Sequence, residues 1–384
     1  MNTPSYNLPE GITSKSILIR DLNVHYLESG HLSHPLLLLL HGFPELSYSW
    51  RKLLLPLAAL GYHVVAPDQR GYGRTVSQSD PSHRIQFDDD LSPFRILNLA
   101  HDIVALVFAL GHTSTVAVVG HDFGSMVAST LALVRPDMFP KVVLMSSPYR
   151  GPPPLPFDIV NNPPDSQKHD PLLALDRALM SFNPPRKHYT RYFSTPEAND
   201  DMSNPPQGIH NFLRAYFHIK SADWADNAPR PLTGLPELAS LPPYYVMPAE
   251  KTMPEAVAPF APSTTEIGEA TWLPDDELEI YSSEFGRTGF QGGLNWYRSA
   301  ADPRLIGEFS IFHGRKVEVP AMFLAGKKDW GTYQFPGATT RMREACPRME
   351  DEDFVLLDGA GHWAQQERPE EVMVHLERFL SRSD

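Results

Sequence analysis

The stretch Gly120-His121-Asp122-Phe123-Gly124 joins two segments of different periodicity. Residues 115–119 before it form a short apolar run typical of a buried strand, and residues 124–134 after it have the apolar spacing of a helix. A strand that turns directly into a helix needs a tight bend, and a glycine on each side relieves clashes there. We therefore expect Asp122 to stand at the carboxyl end of a sheet, where open α/β folds bind ligands.

Similar strand and helix patterns alternate on both sides of this bend. The alternation predicts right-handed βαβ units, and so an α/β fold with a mostly parallel twisted sheet flanked by helices. Residues 16–27 alternate polar and apolar side chains and predict a hairpin at the edge of the sheet. The other predicted strands are 35–40, 62–66, 142–146, 321–325 and 354–357, and the other predicted helices are 50–60, 96–110, 339–346 and a last one from Pro369.

The alternation stops near Ser147 and resumes after Asp302. Many of the 38 prolines lie between positions 152 and 262, which indicates long irregular connections. We predict a core made of residues 1–147 and 303–384, with residues 148–302 inserted as a mainly helical lid, or cap, that lacks buried strands. The Pro-rich part of the lid at 242–262 suggests no specific role.

Composition narrows the choice of compartment and partner. The net charge of −13 offers no positive footprint for nucleic acid, and the single cysteine, Cys346, allows no disulfide within the chain. The amino-terminal residues have no signal-peptide pattern, and the longest apolar run is too short to span a bilayer. We expect a cytoplasmic protein without a membrane span, and the sequence does not predict its oligomeric state.

An aspartate in the middle of such a bend indicates its chemistry. The usual nucleophile at this position is serine. A carboxylate attacks without losing a proton, so it suits an sp³ carbon that carries a leaving group, whereas attack on an ester would give an anhydride. The alternative for Asp122 is a structural one, in which its side chain caps the following helix.

Two further residues complete a candidate triad. His362 lies in a loop after the strand 354–357, and Asp329 follows the strand 321–325. The histidine would activate water, and the aspartate would hold and stabilise its imidazolium. Asp358 is the rival for the place of Asp329.

The backbone around the bend supplies candidate oxyanion donors. His41-Gly42-Phe43-Pro44 follows the strand 35–40, so the N–H groups of Phe43 and Phe123 would hold an oxyanion. The alternative for this loop is an ordinary strand-ending turn. Asp68-Gln69-Arg70-Gly71-Tyr72-Gly73 is interpreted as a structural turn in which Asp68 and Arg70 pair.

These motifs together resemble the epoxide hydrolase branch of the α/β-hydrolase family. The resemblance covers about residues 17–380 and implies the α/β-hydrolase fold, with the nucleophile, acid and base in that chain order. The similar stretches are His41-Gly42-Phe43-Pro44-Glu45, Tyr48-Ser49-Trp50-Arg51, Asp68-Gln69-Arg70-Gly71-Tyr72-Gly73, Gly120-His121-Asp122, Gly361-His362-Trp363 and, in the lid, Gly292-Gly293-Leu294-Asn295-Trp296-Tyr297-Arg298.

The resemblance implies that two lid tyrosines act on the epoxide oxygen. Tyr297 would be one, and Tyr189 matches best for the second, with Tyr192 as its near rival. Epoxide opening leaves an alkoxide, which phenols can polarise and protonate. The expected substrates are a small apolar epoxide and water, with no cofactor or metal, in an apolar pocket walled by Trp330 and Trp363 together with Phe43 and Phe123.

Two other functions compete with epoxide opening. Haloalkane dehalogenases resemble this core but hold halide with a tryptophan N–H after the nucleophile, where this chain has Phe123. Haloacid dehalogenases place arginines just after the nucleophile, where this chain has Phe123 and Met126. A non-catalytic receptor for a small ligand on the same fold is the third possibility, although it would have no reason to keep these reactive side chains.

Overall fold

The structure, a computed structural model, describes residues 6–155 and 171–382, so positions 156–170 of the expected lid lie outside the described residues. Its strands are β1 (Thr13–Ile19), β2 (Leu22–Ser29), β3 (Leu36–Leu40), β4 (His63–Pro67), β5 (Val76–Ser77), β6 (Ala117–His121), β7 (Val142–Met145), β8 (Arg186–His188), β9 (Val246–Pro248), β10 (Ala321–Gly326) and β11 (Phe354–Leu357). Its α-helices are α1 (Arg51–Ala59), α2 (Ile96–Ala109), α3 (Phe123–Val134), α4 (Pro171–Met180), α5 (Tyr189–Phe193), α6 (Ala198–Ser203), α7 (Ile209–Lys220), α8 (Met253–Val257), α9 (Thr264–Glu269), α10 (Asp275–Thr288), α11 (Gln291–Ala301), α12 (Pro303–Ile306), α13 (Ala338–Ala345), α14 (Ala364–Glu367) and α15 (Pro369–Leu380).

A single large sheet forms the centre of the molecule. Its strand order in the described residues is β1-β2-β4-β3-β6-β7-β10-β11, with β5 beside β2. The pairings from β4 through to β11 are parallel, and β2 pairs with β1 and β4 in antiparallel fashion. The predicted mostly parallel α/β sheet, with a hairpin at one edge, is therefore confirmed.

The middle strands are apolar because helices cover both faces of the sheet. Every residue of β3, β4, β6, β7 and β10 is buried. A strand covered on both faces needs a continuous apolar run rather than an alternating one. The five leucines of β3 satisfy this need. The parallel register of β3 and β6, with Leu40 opposite Gly120, places the carboxyl ends of these two strands side by side.

The chain leaves the sheet after β7 and returns to it at β10, which pairs directly with β7. The described residues between these strands form mainly short helices, together with a small sheet in which β8 and β9 are antiparallel. The expectation that this segment lacks buried strands did not foresee this small sheet, whose two strands are each only partly buried. Strands of three residues that pair across a long sequence separation leave no periodic pattern in the sequence. The exact domain boundaries stay a prediction.

The turn after β4 corrects a second expectation. Asp68 faces Nδ1 of His25 at 2.7 Å, while Arg70 pairs with Asp21 and Asp102 at 2.7 Å each. The predicted pairing of Asp68 with Arg70 was therefore wrong. Asp68 meets His25 instead because β2 pairs with β4 in antiparallel fashion, which brings these two residues side by side.

None of the helices that the structure describes is long and apolar enough to cross a membrane.

Candidate active site

Asp122 occupies a strained bend between β6 and α3. Its backbone angles are φ 52° and ψ −119°, a region that residues other than glycine rarely adopt. A Cβ atom on Gly120 would lie 2.2 Å from the carbonyl oxygen of Gly124, and one on Gly124 would lie 2.3 Å from that of Leu40. Only glycine therefore fits on either side of the bend.

The side chain of Asp122 does not cap the following helix, which was the structural alternative for this residue. Asp122 stands at the N-cap position of α3 but makes no side-chain capping bond. Its side chain keeps 15% of its surface exposed, although the surrounding residues are largely buried. The carboxylate is therefore partly accessible and makes no hydrogen bond that caps the helix.

The structure brings Asp122, His362 and Asp329 together. Nε2 of His362 lies 3.4 Å from Oδ2 of Asp122, and Nδ1 lies 3.0 Å from Oδ1 of Asp329. Asp329 is buried and also accepts the N–H of Gly331 at 2.7 Å. The rival Asp358 is instead exposed and pairs with Lys327.

Electrostatics keep both aspartates of this group ionised. Burial would raise the pKa of Asp122, but the hydrogen bond with His362 and the positive charge of Lys220 outweigh it and hold that pKa well below its usual range. Burial also works against ionised Asp329, yet the charge and hydrogen bond of His362 lower its pKa. The carboxylate of Asp122 therefore needs no base to deprotonate it.

One of the two expected oxyanion donors touches the nucleophile directly. The N–H of Phe43 donates to Oδ1 of Asp122 at 3.1 Å. Phe123 begins α3, and its ring lies 5.3 Å from that of Tyr297, centroid to centroid. The oxyanion role of its N–H stays a prediction.

The rings of the two candidate tyrosines contact each other edge to face. The ring centroids of Tyr189 and Tyr297 are 5.8 Å apart, and neither hydroxyl makes a hydrogen bond with any described residue. Burial raises the pKa of each phenol, and the negative charge of Asp122 raises it further. Both phenols are therefore protonated donors at neutral pH. Tyr192 instead donates its hydroxyl to Asp201 at 2.9 Å, which favours Tyr189 as the second tyrosine.

The two tryptophans lie beside the triad. Trp330 directly follows Asp329 and is buried. Trp363 is also buried, with its ring centroid 4.6 Å from that of His362 and its indole N–H donated to the carbonyl of Phe217 at 2.9 Å. Their contact with a substrate stays a prediction.

Sequence reasoning missed two charged groups next to the triad. The ammonium of Lys220, at the end of α7, lies 5.0 to 5.6 Å from the ring centroids of Trp363, Tyr216, Tyr244 and Tyr245. Glu45 is fully buried and pairs with Nδ1 of His121 at 2.5 Å. Lys220 ends an ordinary amphipathic helix and gives no sequence signal, whereas Glu45 belongs to the motif that begins at His41.

Among the described residues, no group of three or more histidine, cysteine, aspartate or glutamate side chains is arranged to hold a metal ion. The single cysteine, Cys346, is buried and unpaired.

Comparison with known proteins places this chain in a family. The family model described as alpha/beta hydrolase fold matches residues 35–369. Epoxide hydrolase A of Mycobacterium tuberculosis is 32% identical, over 96% of this chain and 97% of its own, and epoxide hydrolase 3 of Siraitia grosvenorii is 30% identical, over 91% and 92%.

Solved structures agree with the sequence relatives. An epoxide hydrolase from an endophytic Streptomyces is 30% identical, with a TM-score of 0.76 and coverage of 97% of this chain and 96% of its own. Potato (Solanum tuberosum) epoxide hydrolase I is 31% identical, with a TM-score of 0.72 and coverage of 96% and 99%. The chain belongs to the α/β-hydrolase family. Within that family its relatives place it in the epoxide hydrolase branch.

Proposed function

We propose that this chain is an epoxide hydrolase that converts a small apolar epoxide to a vicinal diol through a covalent ester on Asp122. The observation that carries the proposal is an ionised, partly exposed carboxylate at the bend, with the His362 imidazole 3.4 Å away. Its relatives are named for the same activity, which supports the choice of substrate class.

In the first step, a carboxylate oxygen of Asp122 attacks a ring carbon of the epoxide. A carbon–oxygen bond forms to the aspartate, and the bond from that carbon to the ring oxygen breaks. The electron pair goes to the ring oxygen, which takes a proton from Tyr297 or Tyr189. Both phenols remain protonated until this moment because burial and the charge of Asp122 raise their pKa.

In the second step, water attacks the carbonyl carbon of the Asp122 ester. His362 takes a proton from the water, and Asp329 stabilises the resulting imidazolium. The N–H groups of Phe43 and Phe123 hold the oxyanion. Collapse of this intermediate releases the diol oxygen, which takes the proton from His362. The proton left on the Asp122 carboxyl then returns to the tyrosine phenolate.

A single turnover in ¹⁸O-labelled water tests the covalent step. With enzyme in excess over epoxide, the label should enter the carboxylate of Asp122, and the first diol should carry unlabelled oxygen from the enzyme. Label found only in the diol would mean that water attacks the epoxide directly, and would overturn the covalent route.

The same assay separates the competing functions. A chromogenic epoxide should be turned over, and Asp122→Ala should abolish diol formation while the protein stays folded. Halide release from a haloalkane without epoxide turnover would favour a dehalogenase. Tight binding of an epoxide without turnover would favour a receptor.

A further inference from the structure

Glu367, the last residue of α14, binds the backbone on both sides of His362. Its Oε1 accepts the N–H of Trp363 at 3.0 Å, and its Oε2 accepts the N–H of Gly361 at 2.9 Å. The same Oε2 also accepts the N–H of Ala222, from the segment inserted between β7 and β10, at 2.8 Å. One carboxylate thus joins the loop that carries His362 to the lid.

Further backbone contacts hold the loop that carries His362 closely against the lid. The N–H of His362 donates to the carbonyl oxygen of Lys220 at 2.8 Å. A Cβ atom on Gly361 would lie only 2.4 Å from the carbonyl carbon of Ser221. We define residues 361–363 as the histidine loop and residues 220–222 as the lid segment. Their backbones touch, so a shift of the lid segment must move the histidine loop as well.

We propose that Glu367 is a positioning residue for ester hydrolysis, and that it places His362 correctly only while the lid segment is seated against the histidine loop. This inference rests on the proposed function, because it assigns His362 to the second step. The first step uses Asp122 and the tyrosines, which Glu367 does not touch. Loss of the carboxylate should therefore slow hydrolysis of the ester and spare its formation.

The charge of Glu367 also depends on pH. Burial raises the pKa of Glu367 to about 7, against the three N–H groups that lower it, and the carboxylate of Asp223 raises it further. Protonation weakens bonds that a charged acceptor strengthens. The other titratable or charged groups around these contacts are Lys220 from the lid, Lys328, which donates to the carbonyl of Ala222, and His362 and Arg368 on the side of Glu367 itself. Below neutral pH, hydrolysis should therefore fall more steeply than alkylation.

The test compares Glu367→Gln with a matched control, Glu371→Gln, an exposed glutamate in the first turn of α15. The glutamine keeps the size of the side chain but turns a donor toward one of the backbone N–H groups. In single turnovers of a fluorogenic epoxide, E367Q should slow ester hydrolysis at least about tenfold, because small misplacements of a catalytic group are costly. Alkylation should change by less than about twofold, and mass spectrometry should find the ester accumulating on Asp122.

The pH profile distinguishes positioning from general loss of structure. In the wild type and E371Q, the ratio of the hydrolysis rate to the alkylation rate should fall below pH 7, and in E367Q this fall should be shallower. Equal slowing of both steps, or no slowing, would overturn the proposal.

If E367Q does not fold, the same two rates are measured in Glu367→Asp, which keeps the charge on a shorter side chain. A defect of E367D confined to hydrolysis supports the positioning role, and an unchanged hydrolysis rate overturns it. Absence of any ester on Asp122 in the wild type would instead refute the proposed function, so the two failures are distinguishable.

Discussion

Asp122 keeps its charge in a place where burial alone favours the neutral acid. Two cationic or proton-donating neighbours, His362 and Lys220, offset that cost and lower its pKa. Lys220 is itself buried, and burial lowers its pKa, while the charges of Asp122 and Asp329 act in the opposite direction. The ammonium and the nucleophile therefore stabilise each other's charged forms.

Replacing Lys220 with methionine should shift the acid limb of alkylation to higher pH. Removal of the ammonium disfavours the carboxylate form of Asp122, so the pKa of Asp122 rises. As the pH falls, Asp122 is then protonated at a higher pH than in the wild type. The measurement is the single-turnover alkylation rate from about pH 3, below the usual aspartate pKa, up to neutral pH. The wild type should keep its rate to the lowest pH, and the variant should lose rate first. An unchanged acid limb would mean that Lys220 has no electrostatic effect on the nucleophile.

His362→Gln should separate the two chemical steps. Glutamine cannot accept a proton from water, so hydrolysis should slow by about 10²- to 10⁴-fold while the ester still forms. Mass spectrometry of the protein after mixing with epoxide should find one substrate mass added at Asp122. Rapid diol release without an adduct would remove His362 from the role of base.

Tyr297→Phe should slow alkylation by about tenfold or more, since it removes a donor to the developing alkoxide. Tyr189→Phe should act in the same direction. Tyr192→Phe is the control, because its hydroxyl is already donated to Asp201. The alkylation rates of the three variants are measured by stopped flow. A larger loss of alkylation rate in Y192F than in Y189F would make Tyr192 the second tyrosine instead of Tyr189.

At the scale of elements, the bend from β6 to α3 depends on backbones that almost touch. A methyl group on Gly124 would meet the carbonyl oxygen of Leu40 on β3, and neither backbone can move without disturbing the sheet. The bend at Asp122 is held by this close approach of strand and helix, and no side-chain cap on α3 contributes to it.

Gly124→Ala should therefore destabilise the protein by about 1–3 kcal/mol or more, the usual cost of overpacking. Gly268→Ala is the matched control, since its new methyl group would meet no atom within 4 Å and lies within the helix α9. The control should be neutral or stabilising by up to about 1 kcal/mol. Urea unfolding of both variants measures the difference, and equal stabilities would contradict the close-contact explanation.

At the scale of the whole molecule, buried ion pairs fasten the inserted segment to the core. Glu284 on α10 is almost fully buried and accepts bonds from Arg74 of the core at 2.7 Å and from Arg287 at 2.5 Å. Arg287 also donates to the carbonyl of Gly73 at 2.7 Å. Arg51 on α1 pairs with Glu277 on α10 in the same way.

Glu284→Gln should weaken this attachment and destabilise the protein by about 1–3 kcal/mol, because two guanidinium groups lose their shared carboxylate. The expected loss of stability is smaller than for a fully buried ion pair, because Arg287 is partly exposed to solvent. Asp137→Asn, which breaks an exposed pair with Arg135, should change stability by less than about 0.5 kcal/mol. Thermal unfolding compares the two, and a larger loss in D137N would contradict the argument.

Local spacing was enough to predict the sheet and its central bend. Strands, helices and the glycines around Asp122 are encoded over a few neighbouring residues, so a single sequence reveals them. The predicted parallel sheet and edge hairpin are confirmed. The structure also brings together Asp122, His362 and Asp329, each of which follows a strand in the sequence.

Tertiary structure alone decided which distant groups meet. Asp68 faces His25 rather than Arg70, and the hydroxyl of Tyr192 is donated to Asp201. The ammonium of Lys220 lies 5.0 Å from the ring centroid of Trp363, and Glu367 joins the histidine loop to the lid segment. Each of these contacts joins residues whose neighbours in sequence carry no trace of the partner. Spacing along the chain determines which face a side chain occupies, but only the packing of distant segments against one another determines what lies opposite it.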